Sequence, residues 1–436
     1  MLLTIEKLVY GGDGLARTPP ASDGRSLAVF VPFVLPGEKI EAELSPAKPG
    51  FARAAVAQLV TPSPNRVAGR CPYFERCGGC HYQHIPYERQ LDFKAQIVRE
   101  TLQRVARIDL ASEIRLHPSP PWNYRNRTRL HVRTAPEFAL GYYRFASRDF
   151  LPIRECPISS PLINQAISLL TELSGLSCPP EVEELEFFAD AADAQLIAWA
   201  FCQREARPPT LIRWAESLRR EFPIMAGLHF FAASRSPEGS PAAKPIASSG
   251  AQSLLYQTSH GSYQVSAGAF FQVNRHLIEE LVSVVTSGVT GSLAFDLYAG
   301  GGLFSLPLAR VFRHIFAVES SQTSFADLRH NVPASVKAVS ARTGDYLKSG
   351  YSKSRGRSES PDLVVLDPPR TGAGTTVIRH LADLGPQRVR YVSCDPATLA
   401  RDLAPLVSSG YRIEEAHLFD LFPQTYHIES VMLLAR

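Results

Sequence analysis

Short apolar runs alternate with amphipathic segments along the C-terminal part of the chain, from about residue 256 onward. Three of these runs end in turns that carry polar side chains, at 295–302, 363–370 and 389–396. Strands that alternate with helices are typical of a parallel, doubly wound, Rossmann-like α/β sheet. Ligands bind beyond the carboxyl ends of the strands in such sheets. The pattern therefore predicts a ligand site where these three runs end.

The N-terminal segment, 1–62, shows a different pattern, with short strands separated by glycine and proline turns. Residues 39–44 alternate apolar and polar side chains with period two, and 27–31 form an apolar run. Such strands favour a five-stranded β-barrel of the OB kind, with a generic β domain as the alternative. A Pro-rich linker follows, so the chain divides into a barrel at 1–62, an α+β central domain at 63–255 and the α/β domain at 256–436. In the central domain, apolar spacing predicts a helix over 87–106.

Composition places the chain among globular proteins. Of its 436 residues, 45% are hydrophobic and 20% are charged. The N-terminus lacks the pattern of a signal peptide, and no run approaches the roughly 18 apolar residues of a membrane span. We therefore expect a cytoplasmic protein without a membrane partner, and the sequence indicates no obligate protein partner.

Charge is distributed unevenly along the chain. Residues 66–155 hold 16 Lys and Arg against 9 Asp and Glu, whereas the whole chain has a net charge of only +4. Within this segment a predicted strand at 122–133 brings five basic side chains to one face: Arg125, Arg127, Arg129, His131 and Arg133. A row of guanidinium groups favours contact with a polyanion such as RNA, and a solvated charged face is the alternative.

Three of the seven cysteines lie close together, in a Cys-x5-Cys-Gly-Gly-Cys arrangement. In a reducing compartment such a group indicates a metal site rather than disulfide bonds. A fourth ligand is needed, and the cysteine of a Cys-Pro pair downstream is the best candidate. The predicted ligands are Cys71, Cys77, Cys80 and Cys156. An iron–sulfur cluster and a zinc ion that uses His81 or His84 are both compatible with this spacing.

A glycine-rich turn, 296–302, follows an apolar strand and opens a segment that we predict to be helical over 304–313. Glu319 ends the next predicted strand, where a carboxylate can accept both hydroxyls of a ribose. Asp345 lies after the strand that follows and can approach an adenine amine. Because Ser305 replaces the third glycine of the dinucleotide fingerprint, a nucleotide without a pyrophosphate fits better. The Asp367-Pro-Pro turn favours S-adenosylmethionine.

A cysteine at a neighbouring strand end changes the expected chemistry from amine methylation to carbon methylation. The C5 atom of uracil becomes nucleophilic only after a thiolate has added to C6. Cys394 is the predicted nucleophile, and Glu429 is the predicted base that removes the C5 proton. The alternatives are a buried structural thiol and a solvated strand end.

Taken together, these motifs resemble the RNA uracil-C5 methyltransferase family over nearly the whole chain, and most closely its type that acts on 23S ribosomal RNA. The resemblance implies a TRAM domain at the N-terminus and a [4Fe-4S] cluster on the four cysteines. It implies a nucleophile at Cys394 and a base at Glu429. It also implies S-adenosylmethionine contacts from Gln272, Tyr298, Glu319, Asp345 and Asp367. Two departures are Leu303, where the family often has Asn, and a polar insertion at 352–360.

Three other functions stay open at this stage. A transfer RNA substrate would keep the mechanism, although a TRAM-like module together with a cluster favours ribosomal RNA by resemblance. RNA cytosine-C5 methylation would call for a second cysteine beside the Asp-Pro strand, and none lies near Asp367. A non-catalytic RNA-binding iron–sulfur protein would not need Cys394.

Overall fold

The computed structural model describes the chain except residues 23, 46–49, 204–205, 233–244 and 351–359. The predicted insertion at 352–360 therefore lies, but for its last residue, outside the described residues. The strands are β1 (Leu2–Thr4), β2 (Lys7–Leu8), β3 (Asp13–Arg17), β4 (Ala28–Pro32), β5 (Lys39–Leu44), β6 (Phe51–Thr61), β7 (Ile114–His117), β8 (Arg127–Arg133), β9 (Ala139–Tyr143), β10 (Phe150–Pro152), β11 (Val182–Ala189), β12 (Leu196–Cys202), β13 (Met225–Ala232), β14 (Ala247–Gly250), β15 (Ser253–Thr258), β16 (Gly261–Ser266), β17 (Gly291–Leu297), β18 (Phe312–Glu319), β19 (Val336–Ser340), β20 (Leu363–Leu366), β21 (Arg388–Ser393), β22 (Arg412–Phe419) and β23 (Glu429–Ala435).

The α-helices of the described residues are α1 (Tyr87–Thr101), α2 (Pro161–Glu172), α3 (Pro208–Glu221), α4 (Ile278–Thr286), α5 (Ser305–Leu308), α6 (Gln322–Asn331), α7 (Thr343–Asp345), α8 (Gly374–Leu384) and α9 (Pro396–Ser408). The chain between β17 and β18 is less helical than predicted over 304–313. The helix α5 ends at Leu308, because Phe312 already pairs with Gly291 as the first residue of β18. No described helix combines the length and the apolar character that crossing a membrane requires.

The N-terminal sheet is curled and has the strand order β1-β5-β6-β4-β3-β2. The first residues of the chain supply both edge strands of this sheet, since β1 pairs with β5 and β2 pairs with β3. Val29, Val31 and Ile40 are fully buried in a small core of its own. The predicted OB-like barrel is confirmed, with six strands rather than five because the first strand is split.

The central sheet has the order β10-β9-β8-β11-β12-β13-β14. Helices α2 and α3 cover one face, where Ile163 and Trp214 share a core with Phe230. The other face packs against the β15–β16 hairpin, where Trp199 lies in one core with Tyr263. The central sheet is therefore covered on both sides, by its own helices and by the start of the C-terminal region.

The C-terminal sheet has the order β19-β18-β17-β20-β21-β23-β22-β7. All neighbours are parallel except β23, which runs antiparallel to β21 and β22. Consecutive residues of β17 enter cores on opposite faces: Phe295 lies in one and Ala294 in the other. The predicted doubly wound α/β fold is confirmed.

The outer strand and one helix of this C-terminal body come from far upstream. The predicted helix at 87–106 forms as α1 and continues as a π-helical turn to Ala106. Its apolar stripe, with Leu91 and Val98, shares a core with Leu399 of α9. Strand β7 then pairs in parallel with β22. Residues 87–117 thus pack on the C-terminal sheet, although the division by sequence places them in the central domain.

Candidate active site

The nucleophile and base predicted from the sequence lie opposite each other at one edge of the C-terminal sheet. Ser393 on β21 pairs with Ser430 on the antiparallel β23. The next residues outward on these two strands are Cys394 and Glu429. Asp367 follows β20, the strand on the other side of β21. The fold therefore brings together side chains from three separate segments of the sequence.

Cys394 occupies a tight strand-to-helix turn. Asp395 caps α9, since its Oδ1 atom accepts hydrogen bonds from the N–H groups of Ala397 and Thr398, both at 2.9 Å. Pro396 occupies the first turn, where no N–H is needed. The thiol is partly exposed. Burial, followed by the nearby carboxyls of Glu429 and Asp367, raises its pKa to about 12. Cys394 is therefore a thiol in the free protein at neutral pH.

Glu429 is buried and Asp367 is partly exposed, and within the described part of the chain their carboxyl groups make few compensating contacts. Burial, reinforced by Asp367, raises the pKa of Glu429 well above its usual value, and Arg370 only partly opposes the shift. Burial and the neighbouring Asp296 raise the pKa of Asp367 to about 7. Since each acid discourages the ionisation of the next, the pocket holds fewer charges at neutral pH than it has acids. A cation that enters the pocket would favour the ionised forms of these acids.

Asp296 belongs to the same group, although the sequence pointed only to the turn that it begins. Its Oδ2 atom accepts a hydrogen bond from the Ser305 hydroxyl at 2.5 Å. Its Oδ1 atom is buried and has no hydrogen-bond partner among the described residues. Burial, first among the causes, raises its pKa to about 7. A buried acid with an unsatisfied oxygen is typical of a ligand site.

The glycine-rich turn adopts the backbone conformation that its residues permit. Tyr298, Gly300 and Gly302 all have positive φ angles, of 65°, 55° and 89°. A Cβ atom on Gly302 would lie 2.9 Å from Leu328, so only glycine fits there. The Gly300 N–H donates to the Glu319 carboxylate at 2.9 Å. The structure thus joins the predicted turn to the predicted ribose-binding carboxylate.

The remaining cofactor residues predicted from the sequence lie on further segments of the chain. Tyr298 is half-buried, and burial raises the pKa of its phenol. Gln272 is buried, and its backbone carbonyl oxygen accepts a hydrogen bond from the Asn126 side-chain amide at 3.1 Å. Asp345 is exposed and ends α7, just beyond β19. The five predicted cofactor residues therefore come from five separate segments.

The loop that precedes Glu429, residues 420–428, is held by the upstream half of the chain. Lys94 of α1 forms a fully buried ion pair with Asp420 at 2.6 Å. Gln90 exchanges two hydrogen bonds with Gln424, through the Gln424 side chain at 3.0 Å and its N–H at 3.0 Å. The sequence offered no sign of these partners, because the members of each pair lie in opposite halves of the chain.

The four cysteines predicted to bind a metal lie in one neighbourhood. None of them forms a disulfide, and the charge of Cys156 contributes to raising the pKa of each of the other three, after burial. Even so, within the described part of the chain no group of three or more His, Cys, Asp or Glu side chains is arranged so that it could hold a metal ion. The predicted metal site is therefore not shown.

The histidines considered for zinc have other contacts. The Nε2 atom of His84 lies 3.3 Å from the Val34 carbonyl oxygen in the N-terminal sheet. The His81 ring packs edge-on against Tyr426, with the ring centroids 4.7 Å apart. Burial lowers the pKa of each to about 4. Both rings serve contacts between regions of the molecule.

Four members of the predicted row of basic side chains lie on β8, and the first two of these are neutralised. Arg127 and Arg129 both pair with the buried Glu186, at 2.5 and 2.8 Å. They also stack on Trp199 and Phe201 of β12. The interpretation of this row as a free phosphate-binding surface is thus corrected for these two arginines, because they stabilise the central sheet.

Comparisons with known proteins agree with this arrangement. Residues 250–341 and 356–436 match the model described as tRNA (Uracil-5-)-methyltransferase, and residues 1–57 match that of the TRAM domain. The chain is 34% identical to the 23S rRNA (uracil(1939)-C(5))-methyltransferase RlmD of Pseudomonas putida, across 99% of this chain and 92% of the relative. It is 30% identical to an uncharacterized RNA methyltransferase of Aquifex aeolicus, across 99% and 97%.

A solved structure supports the fold. The tRNA (uracil-54, C5)-methyltransferase of Pyrococcus abyssi, in complex with S-adenosyl-L-homocysteine, superimposes with a TM-score of 0.73 and covers 100% of both chains at 24% identity. With the matches of both sequence models and the full-length likeness to 23S rRNA methyltransferases, the chain belongs to the family of RNA uracil-C5 methyltransferases.

Proposed function

We propose that this protein transfers a methyl group from S-adenosylmethionine to C5 of one uridine in 23S ribosomal RNA. The observation that carries the proposal is the pairing of the Cys394 thiol with the buried Glu429 carboxyl at adjacent strand ends. The ribosomal substrate is supported by relatives named for it that are 32% and 34% identical to this chain over 99% of its length. A transfer RNA substrate would use the same pairing.

The residues around the glycine-rich turn fit S-adenosylmethionine. Each Glu319 oxygen already accepts one backbone N–H, from Gly300 or Ser321. A carboxylate has about four acceptor sites, so capacity is left for two ribose hydroxyls. Tyr298 and Gln272 would contact the rest of the nucleoside and the amino-acid part, and Asp345 the adenine. The cofactor supplies an electrophilic methyl group on a cationic sulfur.

The buried acids explain why a cationic cofactor would bind here. Asp296 and Asp367 have pKa values raised to about 7, and no described lysine or arginine forms an ion pair with either. A positive charge nearby would favour their ionised forms. The positive charge of the cofactor would by itself favour ionisation of the neighbouring Cys394 thiol, whereas an ionised Asp367 opposes it.

In the proposed reaction the partly exposed Cys394 thiol first loses its proton to solvent, and its sulfur bonds to C6 of the uracil. The electrons of the C5–C6 double bond move to the exocyclic carbonyl oxygen on C4, so C5 becomes the nucleophile that would accept the methyl group which the bound cofactor would supply. Glu429, as the carboxylate, removes the C5 proton, the double bond re-forms and the Cys394 thiolate leaves. Arg370, whose charge lowers the pKa of both groups, favours their ionised forms.

The target base must leave its stack to reach the thiol. Phe270, between the buried Ala269 and Phe271, is 56% exposed and is close to Gln272 in the chain. An exposed aromatic ring suits stacking on a base. The TRAM domain and the basic central region would hold the surrounding RNA, with Arg133 and Arg125 as the members of the row that no described carboxylate neutralises.

The four cysteines are proposed to hold a [4Fe-4S] cluster with a structural role. Two of their sulfur atoms accept hydrogen bonds, from Gly79 N–H to Cys77 at 3.4 Å and from the Tyr142 hydroxyl to Cys156 at 3.5 Å. Hydrogen bonds to sulfur are common around such clusters. Anaerobically purified protein should contain iron and sulfide and absorb visible light, and Cys156→Ser should remove all three properties. Zinc in stoichiometric amount would contradict the assignment.

The proposed function is tested by methyl transfer from labelled S-adenosylmethionine to separated, unmodified ribosomal and transfer RNA, followed by identification of the labelled nucleoside. We expect 5-methyluridine in 23S ribosomal RNA. Label in transfer RNA would keep the mechanism and change the substrate. Label in 5-methylcytidine, or none in either RNA, would refute the proposal.

A further inference from the structure

The N-terminal TRAM domain reaches into the active site through a single turn. Tyr10 lies between β2 and β3, and its hydroxyl donates a hydrogen bond to the backbone carbonyl oxygen of Cys394 at 3.3 Å. The two residues are 384 positions apart. A residue of the predicted RNA-binding barrel therefore touches the main chain of the predicted nucleophile.

The Tyr10 side chain is fixed on several sides. Its ring packs edge-on against Tyr426 of the 420–428 loop, with centroids 5.8 Å apart and planes at 87°. The adjoining Gly12 has a φ of 95°, and a Cβ atom there would lie 3.2 Å from the His81 ring. Glycine at position 12 thus favours both this backbone angle and the close approach of the turn to His81.

The surroundings keep the Tyr10 hydroxyl in its donating form. Burial, followed by the charge of Asp395, raises the pKa of the phenol far above its usual value. The Asp395 side chain, which caps α9, is also a hydrogen-bond partner of the phenol. A neutral phenol has one proton to donate, and both of its acceptors, the Cys394 carbonyl and the Asp395 side chain, belong to the turn that carries the nucleophile.

We infer that Tyr10 is a positioning residue for the Cys394 thiol, and that the TRAM domain thereby takes part in the chemical step. This inference rests on the proposed function. The carbonyl of Cys394 and its Cα–Cβ bond belong to one short turn, so a donor that fixes the carbonyl also restricts the direction of the thiol. Small displacements of a reacting group cost large factors in rate.

The test compares two variants that each remove one phenol-to-carbonyl hydrogen bond. Tyr10→Phe removes the bond to Cys394. Tyr411→Phe removes the 2.6 Å bond from Tyr411 to the Pro386 carbonyl, at the opposite edge of the same sheet. Methyl transfer is measured in single turnover at saturating RNA, and RNA affinity is measured separately. Alkylation of Cys394 by iodoacetamide is followed by peptide mass spectrometry in the protein without RNA.

We expect Tyr10→Phe to slow methyl transfer about tenfold with RNA affinity unchanged, and to change the alkylation rate of Cys394 severalfold. Tyr411→Phe should match the wild type in all three measurements. A Tyr10→Phe variant with wild-type transfer and alkylation rates would overturn the inference, as would a loss of RNA affinity that accounts for the whole effect. If the wild type itself transfers no methyl group, the proposed function fails, while the alkylation rates still decide whether Tyr10 positions the thiol.

Discussion

Two buried glutamates, one in each large sheet, show how the same residue can serve stability or chemistry. Glu186 of the central sheet lies among three donors: Arg127 and Arg129 at 2.5 and 2.8 Å, and the Trp199 indole N–H at 3.1 Å. Burial alone would raise its pKa, but the two arginines lower it below the usual value. Its charge is therefore present and paired in the folded protein.

Glu429 of the C-terminal sheet has the opposite environment. Burial and the nearby Asp367 raise its pKa, and Arg370 opposes them only in part. A folded protein gains nothing from a buried acid without a partner, so this arrangement indicates a function that needs proton transfer. The difference teaches that burial of a charged residue carries little meaning until its partners are known.

The largest expected effect distinguishes Cys394, at the active site of the C-terminal sheet, from Cys202, a buried cysteine of the central sheet. Cys394→Ala should lower methyl transfer at least about 10³-fold with little change in thermal stability, because it removes the nucleophile from a partly exposed turn. Cys202→Ala, at a fully buried position of β12, should cost about 1 kcal/mol of stability and leave the rate of the folded protein unchanged. Rates and denaturation midpoints check both variants. Equal activity of Cys394→Ala and the wild type would make Cys394 a structural thiol.

The next effect concerns the paired glutamate. Glu186→Gln should lower the free energy of unfolding by about 3 kcal/mol, because it removes the buried counter-charge that Arg127 and Arg129 share, although Glu184 remains 3.6 Å from Arg129. Glu183→Gln, on the exposed side of the same strand, should change it by less than about 0.5 kcal/mol. Urea denaturation measures both. A Glu186→Gln variant as stable as the wild type would show that the pairing does not stabilise the sheet.

The smallest effect, counted per pH unit, is a dependence of stability on pH. The folded-state pKa of Asp367 is raised to about 7 from an ordinary value of 3.8. Its contribution to stability is therefore complete below about pH 4 and is lost as the pH rises toward 7, by at most about 1.4 kcal/mol per pH unit. Asp367→Asn should make the decline of the melting temperature between pH 4.5 and 7 shallower. Parallel curves for the two proteins would contradict the raised pKa.

The sequence predicted the candidate site best where a functional residue directly follows a strand. Asp367 and Cys394 stand at the ends of apolar runs that are easy to recognise, and the topology of an α/β sheet then brings them to one edge. Glu429 could be predicted for the same reason, at the start of the last strand. The glycine-rich turn was predictable because Gly300 and Gly302 adopt backbone angles that other residues avoid.

Contacts between distant segments could not be predicted in this way. Strand β7 joins the C-terminal sheet from far upstream of its neighbour β22, and Tyr10 meets Cys394 across an even longer separation. Glu186 was equally hidden, because an alternating strand with arginines gives no sign of which carboxylate will face them. Such contacts depend on the tertiary structure, and a local sequence pattern cannot predict them.

The most direct test of the central claim is to stop the reaction after the thiol has added. Glu429→Gln is isosteric but cannot remove the C5 proton, so RNA and S-adenosylmethionine should convert it into a stable covalent protein–RNA complex. The complex is detected by denaturing electrophoresis, and mass spectrometry locates the bond. We predict a methylated uracil linked to Cys394, with turnover reduced at least about 10²-fold. The absence of a complex from folded Glu429→Gln protein that binds RNA, or a bond to another residue, would contradict the assignment of Cys394 and Glu429.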